Sequence, residues 1–587
     1  MRVRPLRLAV LALVALVAVP PLVSAEPGAD DARLAKFVDT ALDDYWRLNP
    51  ESAVAVGYYE HADQLTVPDA ASREASLALD AKVLDGLARF DPARLSPSSR
   101  VDLVLFKDQL EADRWYTETF RSWQWQPSRY NVADSFARQL NTEYAPLERR
   151  LRHVLARLAK VPAYYAAAQA NIDRPTLEHT LLAIEQNQGA LSVFEDGLKQ
   201  AEGSKLSNRN KALFRTRTEA AQAAIKDYIA FLQAMRPGLE AGGARSFRIG
   251  KALYEQKFRY DIQSGFSADE LYAKAQAEKA SLHDRMELLA RVLWPKVKGQ
   301  APMPLDRLEL IGAVIDELSE QHTTPDKFVE TVRQQIPQLE AFVREHDLVT
   351  QDPTRPLVVR ETPLYQRGFA GASVDAPGPY DPTANTYYNV SPLDDYTPER
   401  AESYLREYND WMLQILNIHE AVPGHYLQLL HANKTKSRVK SLFGNGAMVE
   451  GWAVFGERVM LEAGYGGNAA EMWLIWMKWN LRSVCNTIID YEVHTGDLDQ
   501  ERMVRFLTRE AFQSEAEAVN KWRRATLSQV QLTSYFNGYA EILALRDEQR
   551  AKLGKNFSVK GFNDRFLSYG NAPVKFIREL MQEPAAP

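Results

Sequence analysis

Cysteine is almost absent from this 587-residue chain: there is one, Cys485. An internal disulfide framework is thereby excluded, and so is a zinc site built on cysteine pairs. Glycine and proline are scarce at 29 and 30 residues, which excludes collagen-like and low-complexity chains. A surplus of positive charge is lacking too. With 71 basic and 77 acidic residues the net charge is −6, which argues against general nucleic-acid binding. Hydrophobic residues make up 45%, too many for a disordered chain. The length suits roughly two to four domain-sized units or one large helical body.

Long apolar runs are missing as well, except at the N-terminus. Arg2, Arg4 and Arg7 precede an apolar stretch from Leu8 to Val23, broken by Pro20 and Pro21, and Val23-Ser24-Ala25 follows. This order of charged, apolar and small residues marks a secretory signal, so residues 1–25 are expected to be removed. A spanning helix needs about 20 unbroken apolar residues, and this stretch is short and interrupted. Cleavage takes three arginines and no acid, leaving 68 basic against 77 acidic residues and a net charge of −9. No cysteine follows the cleavage point, so a lipid anchor is not expected there. The mature chain is expected to be periplasmic or secreted, without stable membrane insertion; its oligomeric state is left open. Cys485 is expected to serve as a small buried apolar residue.

Helical signals dominate the rest. Ser96-Pro97 opens a segment with Leu103, Phe106 and Leu110 on one face, proline standing where a first-turn N–H has no partner. Ser267-Ala268-Asp269-Glu270 has the form of a capping box, and Phe266 with Leu271 that of a hydrophobic staple. Thr324-Pro325 and Thr397-Pro398 are two further helix starts. Residues 145–235 and 267–293 are rich in strong helix formers. Proline and glycine crowd residues 351–396, which also hold two short β-rich pieces, Pro356–Val359 and Thr386–Val390. The expected fold is mainly α with a small β-sheet, divided into an N-terminal helical part (26–350) and a C-terminal part (351–587).

The chemistry concentrates in the second part. Four of ten histidines fall between residues 419 and 494. At their centre stands His419-Glu420-Ala421-Val422-Pro423-Gly424-His425. Metallopeptidases commonly place two histidines four apart on one helix face, with the adjacent glutamate as base. Here the spacing is six, which on a regular helix turns His425 roughly 120° away and raises it roughly 9 Å. Pro423 removes a backbone donor and Gly424 tolerates unusual conformations, so Pro-Gly supplies a bulge that brings His425 back. Twenty-five residues on, Glu450-Gly451-Trp452-Ala453 opens another helix, with Glu457 on the same face as Glu450. His419, His425 and Glu450 would form the His₂Glu set of one catalytic zinc per chain, a fourth position remaining for water.

The H-E-A-V-P-G-H and E-G-W-A-x-x-x-E segments resemble those of a large bacterial family, domain of unknown function 885. Its members are grouped with zinc peptidases of the gluzincin type, alongside angiotensin-converting enzyme, thimet oligopeptidase and the Taq-type carboxypeptidases. The resemblance implies a large two-lobed helical metallopeptidase body with the sheet near the active site. It implies His419, His425 and Glu450 as zinc ligands and Glu420 as base, and it extends to Asp490-x-x-x-His494 and to Ser534-Tyr535-x-x-Gly538. Two positions depart from the family pattern: Tyr426, and Asn563 within Phe562-Asn563-Asp564, where many relatives carry histidine.

Amide hydrolysis then needs a donor for the developing oxyanion, and Tyr535 and His494 are the candidates, with Tyr539 one turn further on. Strand Thr386–Val390, with Tyr388 and Asn389, is a candidate for holding an extended peptide by edge pairing. Arg482 and Arg546 are candidate clamps for a substrate carboxylate, although structural ion pairing is the readier reading of each. Trp473, Trp476 and Trp479 are expected in the core. The function expected is an exported zinc peptidase cleaving short or unfolded peptides. The alternatives are a peptide-binding scaffold with a degenerate site and a zinc amidase acting on another amide.

Overall fold

Why the helices begin where they do is visible at their caps. In the computed structural model, which describes residues 28–363, 371–382 and 384–582, Ser267 and Glu270 close the complete capping box. Ser267 Oγ accepts from Glu270 N at 3.2 Å, and Ser267 N donates to Glu270 Oε2 at 2.8 Å, starting the 31-residue helix Ala268–Lys298. Pro97 and Pro398 occupy the first turns of helices capped by Ser96 and Thr397. Thr324-Pro325 behaves differently: it opens a single 3-10 turn, Pro325–Lys327, and the regular helix begins at Phe328. The expected leader, residues 1–25, lies outside the described residues.

The fold is mainly α, with 73% helix and 3% strand. Apolar side chains gather into two clusters. The smaller joins Leu65 to the helices between Ala133 and Gly238, including the long pair Leu177–Gly203 and Asn208–Gly238. The larger runs from Leu34 to Met581 and draws on both sides of residue 350, so Trp46, Phe106 and Ile315 share one interior with Trp452 and Ile577. Cys485 lies fully buried within it, and burial pushes its thiol up to about 12, as an inert apolar filler requires.

The described residues between 351 and 396 include one three-stranded sheet. Its strands are β1 (Leu357–Glu361), β2 (Ala372–Asp375) and β3 (Thr386–Val390), in the order β1-β3-β2. β3 runs parallel to β1 and antiparallel to β2, with Tyr388 opposite Val359 on one side and Val374 on the other. Both edges of β3 are therefore occupied. The edge-pairing role expected of Thr386–Val390 is corrected by the unforeseen β2, which takes the hydrogen bonds a bound peptide would need. β3 packs on the helix Asp410–Glu420 through Tyr388, whose hydroxyl donates to Asn417 Oδ1 at 2.8 Å.

Candidate metal centre

The histidine segment is a break between two helices rather than a bulge within one. Asn409 caps the first helix, and Ala421 ends it with non-helical backbone angles. Pro423 cannot donate to the carbonyl of His419. Gly424 N donates instead to Ile418 O at 3.0 Å, and a new helix, His425–Ala432, starts at once. Only glycine fits there, because a Cβ on residue 424 would stand 1.8 Å from the His419 carbonyl oxygen. Trp452 secures the turn from the opposite helix, its indole donating to Pro423 O at 2.8 Å. The result sets the two imidazoles 4.8 Å apart between ring centres and nearly perpendicular, at 87°.

Glu450 reaches them from the helix Gly446–Glu462. Its Oε2 lies 3.4 Å from His425 Nε2 and 3.7 Å from His419 Nε2, and the three donor atoms lie within 4.8 Å of one another. Atoms about 2.0–2.2 Å from one tetrahedral ion stand roughly 3.3–3.6 Å apart, so the 3.4 Å distance falls within that range and the 3.7 Å distance just beyond it. The placement of Glu450 depends on its neighbour. Gly451 meets Gly538 of the helix Ser534–Leu553 at backbone contact: a Cβ on Gly538 would fall 1.7 Å from Ala447 O, and one on Gly451 2.3 Å from Gly538 C. The glycines of the E-G-W-A and S-Y-x-x-G elements are thus the two halves of one helix crossing, which sets Tyr535 beside Glu450.

Behind His419 stands a residue to which the sequence alone assigned no role. Glu457 is fully buried, and its Oε1 lies 2.7 Å from His419 Nδ1. The same oxygen accepts from Trp479 Nε1 at 3.0 Å, and Oε2 accepts from Trp476 Nε1 at 3.0 Å. Two of the three tryptophans expected in the core therefore also act as polar donors. They hold the carboxylate that fixes the His419 imidazole through Nδ1, leaving Nε2 turned towards Glu450. The seven-residue interval from Glu450 to Glu457 was the available signal.

Electrostatics distinguish the carboxylates. Burial works to raise the Glu450 carboxyl, but His419 and His425 outweigh it and hold the group far below the usual carboxylate range. Glu420 goes the other way: burial raises it, Glu450 adds to this, and the histidines oppose it without prevailing. Among the described residues Glu420 makes no hydrogen bond, so its oxygens are free. Burial also raises the Tyr535 phenol, aided by the Glu450 charge and opposed by Arg524. Tyr535 Oη accepts from Arg524 Nη2 at 3.2 Å, which leaves its own proton to donate.

The remaining candidates are placed elsewhere. His494 is not a donor at this site: it is 1% exposed, its Nε2 lies 2.8 Å from Ala525 O, and burial pushes its pKa down to about 4. Asp490 anchors the same neighbourhood, accepting from Val530 N at 2.8 Å, Leu532 N at 3.2 Å and Tyr254 at 2.8 Å. The Asp-x-x-x-His element thus braces the turn that leads into Tyr535. Tyr539 accepts from Arg458 Nη1 at 2.8 Å. Arg546 is bound to Glu462 at 2.6 Å, an ion pair. Asn389 is buried within the sheet, tied to Arg360 at 2.7 Å and Asp375 at 2.9 Å. Tyr388 is fully buried against Asn417, and Tyr426 donates to the Arg355 carbonyl. Asn563 donates to Leu348 O at 2.9 Å, so both departures from the family pattern fall on structural contacts. Arg482 alone of the proposed clamps lies near the centre, its guanidinium carbon 5.2 Å from the Trp479 ring centre.

A family model described as bacterial protein of unknown function (DUF885) matches residues 50–581. A solved structure, described as that of a "putative lipoprotein of unknown function" from Shewanella oneidensis, is 52% identical. It covers 94% of this chain and 100% of its own, with a TM-score of 0.84. A crystal structure of a "putative lipoprotein" from Colwellia psychrerythraea is 16% identical, covers 94% of this chain and 98% of its own, and has a TM-score of 0.76, a likeness of fold alone. No curated protein matches.

Proposed function

This chain belongs to the DUF885 family of bacterial proteins, and on that footing we propose that it is an exported zinc-dependent peptidase. The observation that carries the reading is the convergence of His419 Nε2, His425 Nε2 and Glu450 Oε2 beside the unbonded carboxylate of Glu420. A chain building three ligands and a base merely for stability would leave this carboxylate neutralised. Export fits the leader expected over residues 1–25 and the description of the relatives as lipoproteins. No helix among the described residues is long and apolar enough to cross a membrane.

Zinc held by His419, His425 and Glu450 would lower the pKa of its water to about 7 and polarise the scissile carbonyl. Glu420 takes a proton from the attacking water, whose oxygen bonds to the carbonyl carbon. Glu420 then returns the proton to the leaving nitrogen as the C–N bond breaks. Tyr535, steadied by Arg524, donates to the oxygen on which negative charge develops.

The test is Glu420→Gln in zinc-loaded protein, with a mixed peptide library followed by mass spectrometry, with and without chelator. Turnover is expected to fall by roughly 10²–10⁴-fold, with zinc content and Tm retained. Undiminished turnover in this variant refutes the mechanism. The metal centre does not itself separate a peptide from another amide; the charges beside it bear on that choice.

A further inference from the structure

A largely buried group of charges lies near the metal centre, and only its exposed member, Arg524, which steadies Tyr535, has a part in the bond cleavage. Lys478 and Arg482 come from the helix Ala470–Thr495; Glu517, Lys521 and Arg524 come from the helix Glu515–Leu527; Glu407 ends the helix Pro398–Glu407. Lys478 Nζ donates to Glu407 Oε2 at 2.9 Å and Arg482 Nη2 to Glu517 Oε2 at 2.9 Å, so each carboxylate already has a cation. Arg524 Nη2 serves Gln531 and Tyr535. Lys521 has no hydrogen bond and no ion pair among the described residues, although it is only 4% exposed. Arg482 Nη1 is also buried without a hydrogen bond, 3.9 Å from the nearest Glu407 oxygen.

Three largely buried cations, Lys478, Arg482 and Lys521, thus face two carboxylates, with the exposed Arg524 beside them. Burying an uncompensated charge is costly, and a fold does not keep one for stability. Burial, reinforced by Arg482 and Arg524 and opposed by Glu517 and Glu407, drives the Lys521 pKa well below its ordinary value. An anionic ligand would supply the missing charge. The group also lies in the right place. The Trp479 ring centre is 6.3 Å from that of His419 and 5.2 Å from the Arg482 guanidinium, and Arg524 bonds the same Tyr535 that senses Glu450. Tyr408 lies within electrostatic range of both Arg482 and Glu420.

We infer that Lys521 and the Nη1 of Arg482, which makes no hydrogen bond, bind the C-terminal carboxylate of the substrate, making the protein a carboxypeptidase that releases up to three residues per cleavage. The inference rests on the peptidase reading. An extended residue spans about 3.3–3.6 Å, so the path from His419 across the Trp479 ring to Arg482, in steps of 6.3 Å and 5.2 Å, is at most about three residues long.

The test uses a random hexapeptide library made once with free C-terminal carboxylates and once amidated. Zinc-loaded protein is expected to trim free acids from the C-terminus and to process amides roughly 10- to 100-fold more slowly, the ratio expected for one charged hydrogen-bonded contact. Retention on Glu420→Gln protein is expected to favour acids by the same factor. Lys521→Met should abolish that preference and raise Tm, whereas a lysine with a structural role would lower Tm and leave the preference; Lys521→Arg should restore it. Equal processing and equal retention of the two libraries, or cleavage at internal bonds alone, overturns the inference while the peptidase reading stands. If neither library is cut, the peptidase reading falls, and retention alone decides: preference for acids supports the carboxylate site and equality refutes it.

Discussion

Replacing Glu457 by glutamine changes one atom's identity and one unit of charge, which makes the consequences tractable. In the native chain Oε1 serves His419 and Trp479 and Oε2 serves Trp476. All three partners are donors to this carboxylate. An amide has one oxygen, so its NH₂ must face an indole N–H or the imidazole N–H, donor against donor. If the oxygen keeps the His419 side, the Trp476 N–H is stranded in a fully buried site, at about 1–3 kcal/mol. The loss of charge weakens the bond to His419 by about another 1 kcal/mol. Glu457→Gln is therefore expected to destabilise the fold by about 2–4 kcal/mol, and to lower zinc affinity roughly 10- to 100-fold through the misoriented imidazole. Chelator competition reads the affinity, and denaturant unfolding in the absence of metal reads the stability. Unchanged zinc affinity in a folded variant would refute the argument that Glu457 orients His419.

Two further expectations concern the scaffold. Asp80, buried with one carboxylate oxygen unpaired, has its pKa raised to about 7 by burial, with the Asp113 and Glu118 charges adding and Arg114 opposing. The folded chain holds this proton more tightly than the unfolded chain, so the contribution is complete below about pH 4 and is lost as pH rises through 7. Asp80→Asn should raise Tm at pH 8 and flatten its decline between pH 5 and 8, by at most about 4 kcal/mol; an unaltered pH profile counts against it. Gly538→Ala, with its Cβ 1.7 Å from a carbonyl oxygen, should destabilise by more than the roughly 1–3 kcal/mol usual for overpacking. Gly189→Ala, on an exposed helical turn with open space around it, should stabilise by about 0.5–1 kcal/mol. Equal unfolding midpoints for the two variants would contradict the packing argument.

The convergence of His419, His425 and Glu450 beside Glu420 was legible in the sequence because it is written in residue type and interval. Pro423-Gly424 announced a departure from regular helix, though not that the helix would stop and restart. The helical class followed from caps and composition, which act locally. What stayed hidden depended on distant segments meeting. β2 is a four-residue strand, Ala-Ser-Val-Asp, too short to declare itself, and its pairing moved β3 from edge to centre. His494 could not be told from an active-site histidine until its partner, Ala525, was visible. Lys521 and Arg482 lie 39 positions apart, and their shared surplus of charge arises only when two helices pack.

The contact between Gly451 and Gly538 fixes the proposed ligand, Glu450, and the proposed donor, Tyr535, to one another through backbone atoms alone. No side chain mediates that joint, so none can be exchanged to adjust it. Lys521 and Arg524, by contrast, are displayed from a separate helix whose substitution leaves the joint untouched. Under the proposed peptidase function, labour is divided between a fixed cutting tool and a replaceable gauge. Exchange of Lys521 can retune what is accepted, whereas Arg524 on the same helix is held to Tyr535.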